Sequence, residues 1–261
     1  MANPGGNYPG RQIFLGSLST GEPAFAYFVS GRSSGSQQRY VSKFLQNENA
    51  IRVKPTNPEE PFDIFRHYQA VRVDPKSGLL TVSNSQAPVD PLFEAFSCEP
   101  SQVLSGYMKD LLAALGPEYD SKNNPTPRIA GAIVPISDRF AQGIAITTRK
   151  RSAQETGGMM PLDGVLTWLA TYDGNVNYGP FDGFLAAHGG TKYAAAAKTA
   201  QELADEIYEV SDYTDPKYGE LRVCSLAGVK NGNGPGGWEI ARKNRWEEIV
   251  TYNEARELEG E

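Results

Sequence analysis

Two cysteines and two histidines among 261 residues exclude several familiar chemistries. Cys98 and Cys224 form no Cys-x-x-Cys pair, so neither a disulfide framework nor a zinc finger is expected, and unpaired thiols suit a reducing compartment. His67 and His188 are too few for a multi-histidine metal site, and no metal is expected. No apolar run approaches the roughly 18 residues that a membrane span needs. Residues 1–20 lack a basic start followed by an apolar block, so the expectation is a cytoplasmic protein. Positive charge is also scarce: the net charge of −6 argues against nucleic acid as a partner, because neutralising phosphates needs a basic surface. What remains, 39% hydrophobic and 21% charged residues without a glycine and proline excess, is the composition of a globular chain.

The charges that are present are unevenly placed. Residues 1–58 carry Arg11, Arg32, Arg39, Lys43, Arg52 and Lys54 against only Glu22 and Glu48, a local excess suited to an anion. Residues 199–261 carry twice as many acidic as basic side chains, which reads as solvated helix faces and an acidic tail.

Short β-branched and aromatic stretches predict strands over 12–18, 24–29, 40–44, 50–54, 68–73 and 79–83. Thr20–Pro23 and Asp74–Gly78 have the composition of hairpin connections. Apolar spacings of three and four over Ser101–Leu115, ended by Gly116-Pro117, predict a helix with Ser101 as N-cap. Further strands are expected over 129–136, 141–148, 164–172 and 221–229. The weak alternation of Ile129–Val134 implies burial on both faces. Thr199 and Glu202 have capping-box spacing before an apolar stripe of Leu203, Ile207 and Val210. Residues 238–259 permit a terminal helix.

Several motifs carry little. Gly232, Gly234 and Gly237 satisfy G-x-G-x-x-G, but only 24 residues follow and Pro235 interrupts them, so a loop is expected rather than a dinucleotide site. Cys98, next to the apolar Leu92–Phe96, and Cys224 are expected as core thiols. His67 and His188 lack the neighbours of a catalytic triad, and Met1-Ala2 supplies no terminal nucleophile. Three segments say more. Tyr8–Arg11 with Tyr27–Ser33 places two arginines, Ser30, Ser33 and the permissive Gly31 around one hairpin, a set suited to phosphate or an oxyanion. Val82–Gln86, beside a strand carrying Tyr68, offers amides and a phenol able to read a heterocycle edge. Glu118–Asn124 followed by Pro125-Thr126-Pro127-Arg128 joins acidic groups to a proline-stiffened turn and a buried strand.

In this order, the pieces Tyr8–Arg11, Ala26–Ser33, Val82–Asp90, Thr126–Gly131 and Leu169–Tyr172 resemble the archaeal-type inosine monophosphate (IMP) cyclohydrolase family, over about residues 8–230. Thr-Pro-Arg-Ile-Ala-Gly and Ser-x-Arg-Ser are the more specific of them. The chain departs from the family pattern at Asp120–Pro125, where the family usually carries a Glu, Lys, Asp cluster and an asparagine at the place of Pro125.

The resemblance implies an α+β fold: a four-layer α-β-β-α sandwich of two antiparallel sheets flanked by helices, similar to the N-terminal nucleophile hydrolases. It implies one cyclohydrolase domain over 1–261, with 231–261 as a peripheral acidic tail. The implied activity closes the second ring of 5-formamidoimidazole-4-carboxamide ribonucleotide with loss of water, without a cofactor, in a homo-oligomer such as a tetramer. Carried onto this chain, the catalytic residues would be Arg32, Tyr68 and Asp120, or Glu118 in place of Asp120. Arg11, Ser30, Ser33, Arg39, Asn84 and Arg128 would bind substrate or anchor loops. A non-catalytic purine-ribonucleotide binder and an amide hydrolase of the related fold are the alternatives.

Overall fold

Period-two alternation along long antiparallel strands lets each strand feed two interfaces at once, and this organises the molecule. The computed structural model describes residues 10–64, 66–119, 125–147, 153–172, 191–212, 214–215 and 218–259. β1 (Arg11–Ser17) and β2 (Pro23–Ser30) form a hairpin at the centre of a six-stranded sheet. Around it lie β12 (Leu166–Ala170), β13 (Thr191–Tyr193), β16 (Arg222–Lys230) and β17 (Trp238–Asn244), in the order β13-β12-β1-β2-β16-β17. The second sheet contains β3 (Arg39–Val41), β4 (Ala50–Pro55), β5 (Tyr68–Val73), β6 (Leu80–Ser83), β9 (Ile129–Ile136), β10 (Arg139–Thr147) and β11 (Ala153–Met159). Its order is β11-β10-β9-β6-β5-β4-β3. Two small ribbons pair β7 (Glu118–Tyr119) with β8 (Pro125–Thr126), and β14 (Thr214–Asp215) with β15 (Gly219–Glu220).

The inner faces meet in one core. Ile13, Leu15, Phe25, Tyr27 and Val29 from the first sheet pack against Val71, Val82, Ile129 and Ile133 from the second. The alternate residues Phe14, Ala24, Ala26 and Phe28 face outward onto Leu203 and Ile207 of α4 (Ala200–Val210). On the opposite side, Ala130, Ala132 and Val134 meet Leu92 and Phe96 of α2 (Gln86–Cys98) and Met108 and Leu112 of α3 (Tyr107–Leu115). The protein is therefore an α+β sandwich of two antiparallel sheets with helices on both outer faces. β9 is buried on both faces, as its weak alternation predicted. The Thr199–Glu202 capping box is also formed. Among the described residues, no helix is long and apolar enough to cross a membrane.

Several expectations need correction. The helix predicted over 101–115 is divided: Pro100–Leu104 forms a 3-10 turn, and Gly106, at a φ of +83° that favours glycine, precedes α3. α2 lies in a stretch that carries no helix signal, because Pro88 and Pro91 mask it. Pro88 sits in the first turn, where its missing N–H costs nothing, and Pro91 removes one bond that packing offsets. Cys98 is exposed rather than a core thiol. Val89, Leu92 and Phe96 set the buried stripe of α2, and Cys98 falls off that face. Cys224 is buried, as expected. The Gly232–Gly237 run is the β16–β17 connection, with a single 3-10 turn over Pro235–Gly237, and leads into a strand.

Residues 238–259 are a strand followed by a helix, α5 (Glu247–Glu259), rather than one helix. Trp238 is fully buried in the inter-sheet core, meets Phe25 edge to face at a centroid distance of 5.6 Å, and donates its indole N–H to Gly78 O at 2.8 Å. Asn244 accepts from Val41 N at 2.9 Å, and Arg242 pairs with Glu254 of α5. These contacts close the lateral edge where β17 meets β3. Trp238→Ala is expected to cost about 3–5 kcal/mol in equilibrium denaturant unfolding, the range for truncating a buried aromatic. Tyr252→Ala on the exposed face of α5 should change it by less than about 0.5 kcal/mol.

Candidate functional site

Antiparallel pairing brings the candidate residues to one end of the sandwich. Arg11 starts β1 opposite Val29 near the end of β2, and Gln12 pairs with Ala170 at the end of β12. Arg11 and Arg32, far apart along the hairpin sequence, therefore both lie at its open end. In the second sheet, Tyr68 starts β5 opposite Val53, Ser83 ends β6 opposite Ala130, and Ile129 starts β9 opposite Ile146.

The first sheet's contribution is shaped by close backbone approaches. Gly10 has a φ of +71°, and a Cβ there would come within 2.2 Å of Thr171 Oγ1. Its carbonyl accepts from Ser30 N at 2.9 Å and from Ser30 Oγ at 2.7 Å. Arg11 is held through its backbone, its N–H donating to Thr171 Oγ1 at 3.0 Å. A Cβ on Gly31 would lie 2.2 Å from Ser36 O, so glycine permits the short helix α1 (Ser34–Gln37) to fold back on the strand end. Ser33 caps α1, accepting from Ser36 N at 3.2 Å. Arg39 is buried, and its guanidinium donates to Ser36 O at 2.7 Å and to Ser30 O at 3.3 Å, anchoring this turn. Arg32 is exposed beside it.

The second sheet supplies a carboxylate on a clamp. β7 and β8 pair Glu118 with Thr126, so the crossover is a ribbon rather than an open loop. Glu118 accepts from Arg128 Nη1 at 2.8 Å. Arg128 also donates to Ser85 Oγ at 2.6 Å and to Gly116 O at 2.8 Å. Asn84 bridges the same turn, donating to Pro127 O at 2.9 Å and accepting from Ile129 N at 2.8 Å. Arg128, Asn84 and Ser85 thus build the frame that presents Glu118. Burial raises the Glu118 carboxyl above the ordinary glutamate value, against the opposing pull of Arg128 and Arg11 and the hydrogen bonds of Arg128 and Ser85.

The halves meet at a pair of phenols. Tyr27 of β2 and Tyr68 of β5 point into the inter-sheet space with their hydroxyls 2.6 Å apart. Burial, and then the neighbouring Tyr68, push the Tyr27 phenol well above its usual value, while Arg11 and Arg39 pull it down. Because the charge of Arg11 acts on both Tyr27 and Glu118, the phenol pair and the buried carboxylate share one electrostatic environment. The arrangement supplies cations for an anion, a phenol for hydrogen bonding and a carboxyl for proton transfer.

Asp120 lies outside the described residues, as do Tyr8 and His188. His67 is buried and its Nδ1 accepts from Asp63 N at 3.1 Å, with burial lowering its protonation range. Burial pushes the Cys224 thiol up to about 12, which disfavours a thiolate nucleophile. Among the described residues, no group of three His, Cys, Asp or Glu is arranged to hold a metal. Tyr27 and Ser85 lie inside the Tyr27–Ser33 and Val82–Gln86 segments, but the sequence gives neither side chain a role of its own. The inward phase of Tyr27 with Phe25 and Val29 is the signal that could have found it.

No curated protein matches the chain at a significant level. The family of IMP cyclohydrolase-like proteins matches residues 8–234, which takes in every residue of the site and stops short of β17 and α5. A match over most of the chain, with both halves of the site inside it, places this protein in the IMP cyclohydrolase-like family.

Proposed function

We propose that the protein is an IMP cyclohydrolase, closing 5-formamidoimidazole-4-carboxamide ribonucleotide to IMP with release of water. The observation that carries this reading is the gathering of Arg11, Tyr68 and Glu118 at one sandwich end, inside the region that matches the family. The reaction joins the carboxamide nitrogen to the formyl carbon. The carboxamide nitrogen gives up one proton, the formyl oxygen gains one, and the resulting hydroxyl leaves as water together with the formamido N–H proton.

Each requirement has a candidate. Tyr68 donates to the formyl oxygen as charge develops there. Glu118 takes the carboxamide proton, and its elevated range suits a group that must also return a proton to the departing hydroxyl. Asp120, on the same crossover, is the alternative carboxylate. Arg32, exposed at the rim, and Arg11 hold the 5′-phosphate or the formyl oxygen, with Ser30 and Ser33 toward the ribose. Arg39, Arg128 and Asn84 serve as anchors of the loops that carry these groups. Holding the two reacting ends together supplies much of the acceleration.

The direct test follows purine absorbance as the purified chain is mixed with the formamido nucleotide. Turnover supports the reading, whereas nucleotide binding without ring closure leaves a non-catalytic binder. In the cyclising enzyme, Glu118→Gln, Tyr68→Phe and Arg32→Ala should each lower turnover by about a hundredfold or more, and unchanged rates in folded protein remove the residue from its role. The acid limb of the kcat profile should lie above the range of an ordinary glutamate. Ser85→Ala removes a hydrogen bond that favours the carboxylate, so it should move that limb to higher pH. A limb that stays in place would detach it from Glu118.

A further inference from the structure

Tyr27 is a buried polar group that the proposed chemistry leaves without a task. It lies on β2 and its partner on β5, so their hydrogen bond crosses from one sheet to the other. Each phenol carries one proton and two lone pairs. One proton fills the bond between the oxygens, and the other must point elsewhere. Both side chains are almost wholly removed from water, so a misdirected proton would be costly.

The surroundings of Tyr27 decide which proton fills the bond. Among the described residues, Arg11 and Arg39 act on its hydroxyl, and their guanidinium groups can only donate. Were Tyr68 the donor, the free Tyr27 proton would lie in their positive field. With Tyr27 as donor, its lone pairs lie in that field instead. Arg39 is itself fixed by Ser36 O and Ser30 O, so this field is built into the frame rather than supplied by a bound ligand.

We propose that Tyr27 is a positioning residue whose hydroxyl donates to the Tyr68 oxygen, leaving the Tyr68 proton available to the substrate. The inference rests on the reading of Tyr68 as the donor to the formyl oxygen. Donation from Tyr27 also stabilises the negative charge that builds on the Tyr68 oxygen as its proton passes to the formyl oxygen; Glu118 carries the carboxamide proton to the departing hydroxyl, and the formamido N–H proton restores Tyr68. Burial keeps Tyr27 protonated and able to donate across the working range.

Two measurements test it. In the substrate-free chain labelled with 13C at tyrosine Cζ, proton NMR should show a slowly exchanging hydroxyl coupled to the Tyr27 Cζ, assigned by its loss in Tyr27→Phe. Coupling of the bridging proton to the Tyr68 Cζ would overturn the proposal. In the cyclisation assay, Tyr27→Phe should lower kcat by about ten- to a hundredfold with KM changed less than about twofold. It should have little further effect in a Tyr68→Phe background, because both changes break one unit. An unchanged kcat, or a loss that multiplies fully with that of Tyr68→Phe, overturns the positioning role. If Tyr27→Phe does not fold, assigning the bridging proton in the wild-type chain through its proximity to the side chains of β2 or of β5 decides. If the wild type does not cyclise, the functional reading fails while the same assignment still decides the direction of the bond.

Discussion

Face-to-face burial of two antiparallel sheets leaves polar chemistry one place to gather: the end of the sandwich, where strands stop and backbone groups need partners. Along the strands, Ile13, Leu15, Phe25, Val71 and Ile133 exclude water from the space between the sheets. At the end, that exclusion remains strong while charged groups enter. An isolated buried charge is costly, so each must be paired or hydrogen-bonded. Arg39 donates to the carbonyls of Ser36 and Ser30, and Arg128 to Glu118, Ser85 and Gly116. The same partial dehydration that makes these partners necessary also raises Glu118 and Tyr27 out of their ordinary ranges. Structural satisfaction and reactivity therefore share one origin.

Much of the architecture is legible because local physics and tertiary packing agree there. The strands β1 to β6, β9 and β10 follow β-branched and aromatic runs, and the α4 cap and its apolar stripe follow helix rules. Legibility fails where long-range contacts override local preference. α2 forms despite Pro88 and Pro91 because Leu92 and Phe96 gain burial against β9. β11, with two glycines in Ala153–Met159, has little intrinsic strand character and is specified by pairing with β10. Trp238 sits in a charged stretch, but its burial depends on Phe25 and Gly78, both more than 150 residues earlier.

The site divides along a similar line. Residue types with evident chemistry, such as Arg11, Arg39, Tyr68, Glu118 and Arg128, can be nominated from segments whose order resembles a family. Their division of labour cannot, because it depends on contacts across the fold. Asn84 suggests a base-reading amide in sequence, yet its side chain joins the β6 turn to Pro127 and Ile129. Tyr27 suggests a core aromatic and is one, but the same inward direction delivers its hydroxyl to Tyr68. Only the inter-sheet geometry distinguishes a hydrophobic ring from a hydrogen-bonding phenol.

That geometry also bears on the ligand. The first sheet brings Arg11, Tyr27 and Ser30, and the second brings Tyr68, Glu118 and Arg128, so a molecule engaging both sets enters between the sheets rather than lying on either. Stacked sheets are about 10 Å apart, and the Tyr27–Tyr68 bond ties them together at this end. Entry between two facing sheets suits a flat heterocycle presented edge-on. On the ring-closing reading, the same restriction holds the carboxamide and formyl arms near one plane, the alignment their union requires. On the same reading, the phenol bridge both ties the sheets together and orients the proton that Tyr68 offers, and these two effects converge on the same side chains.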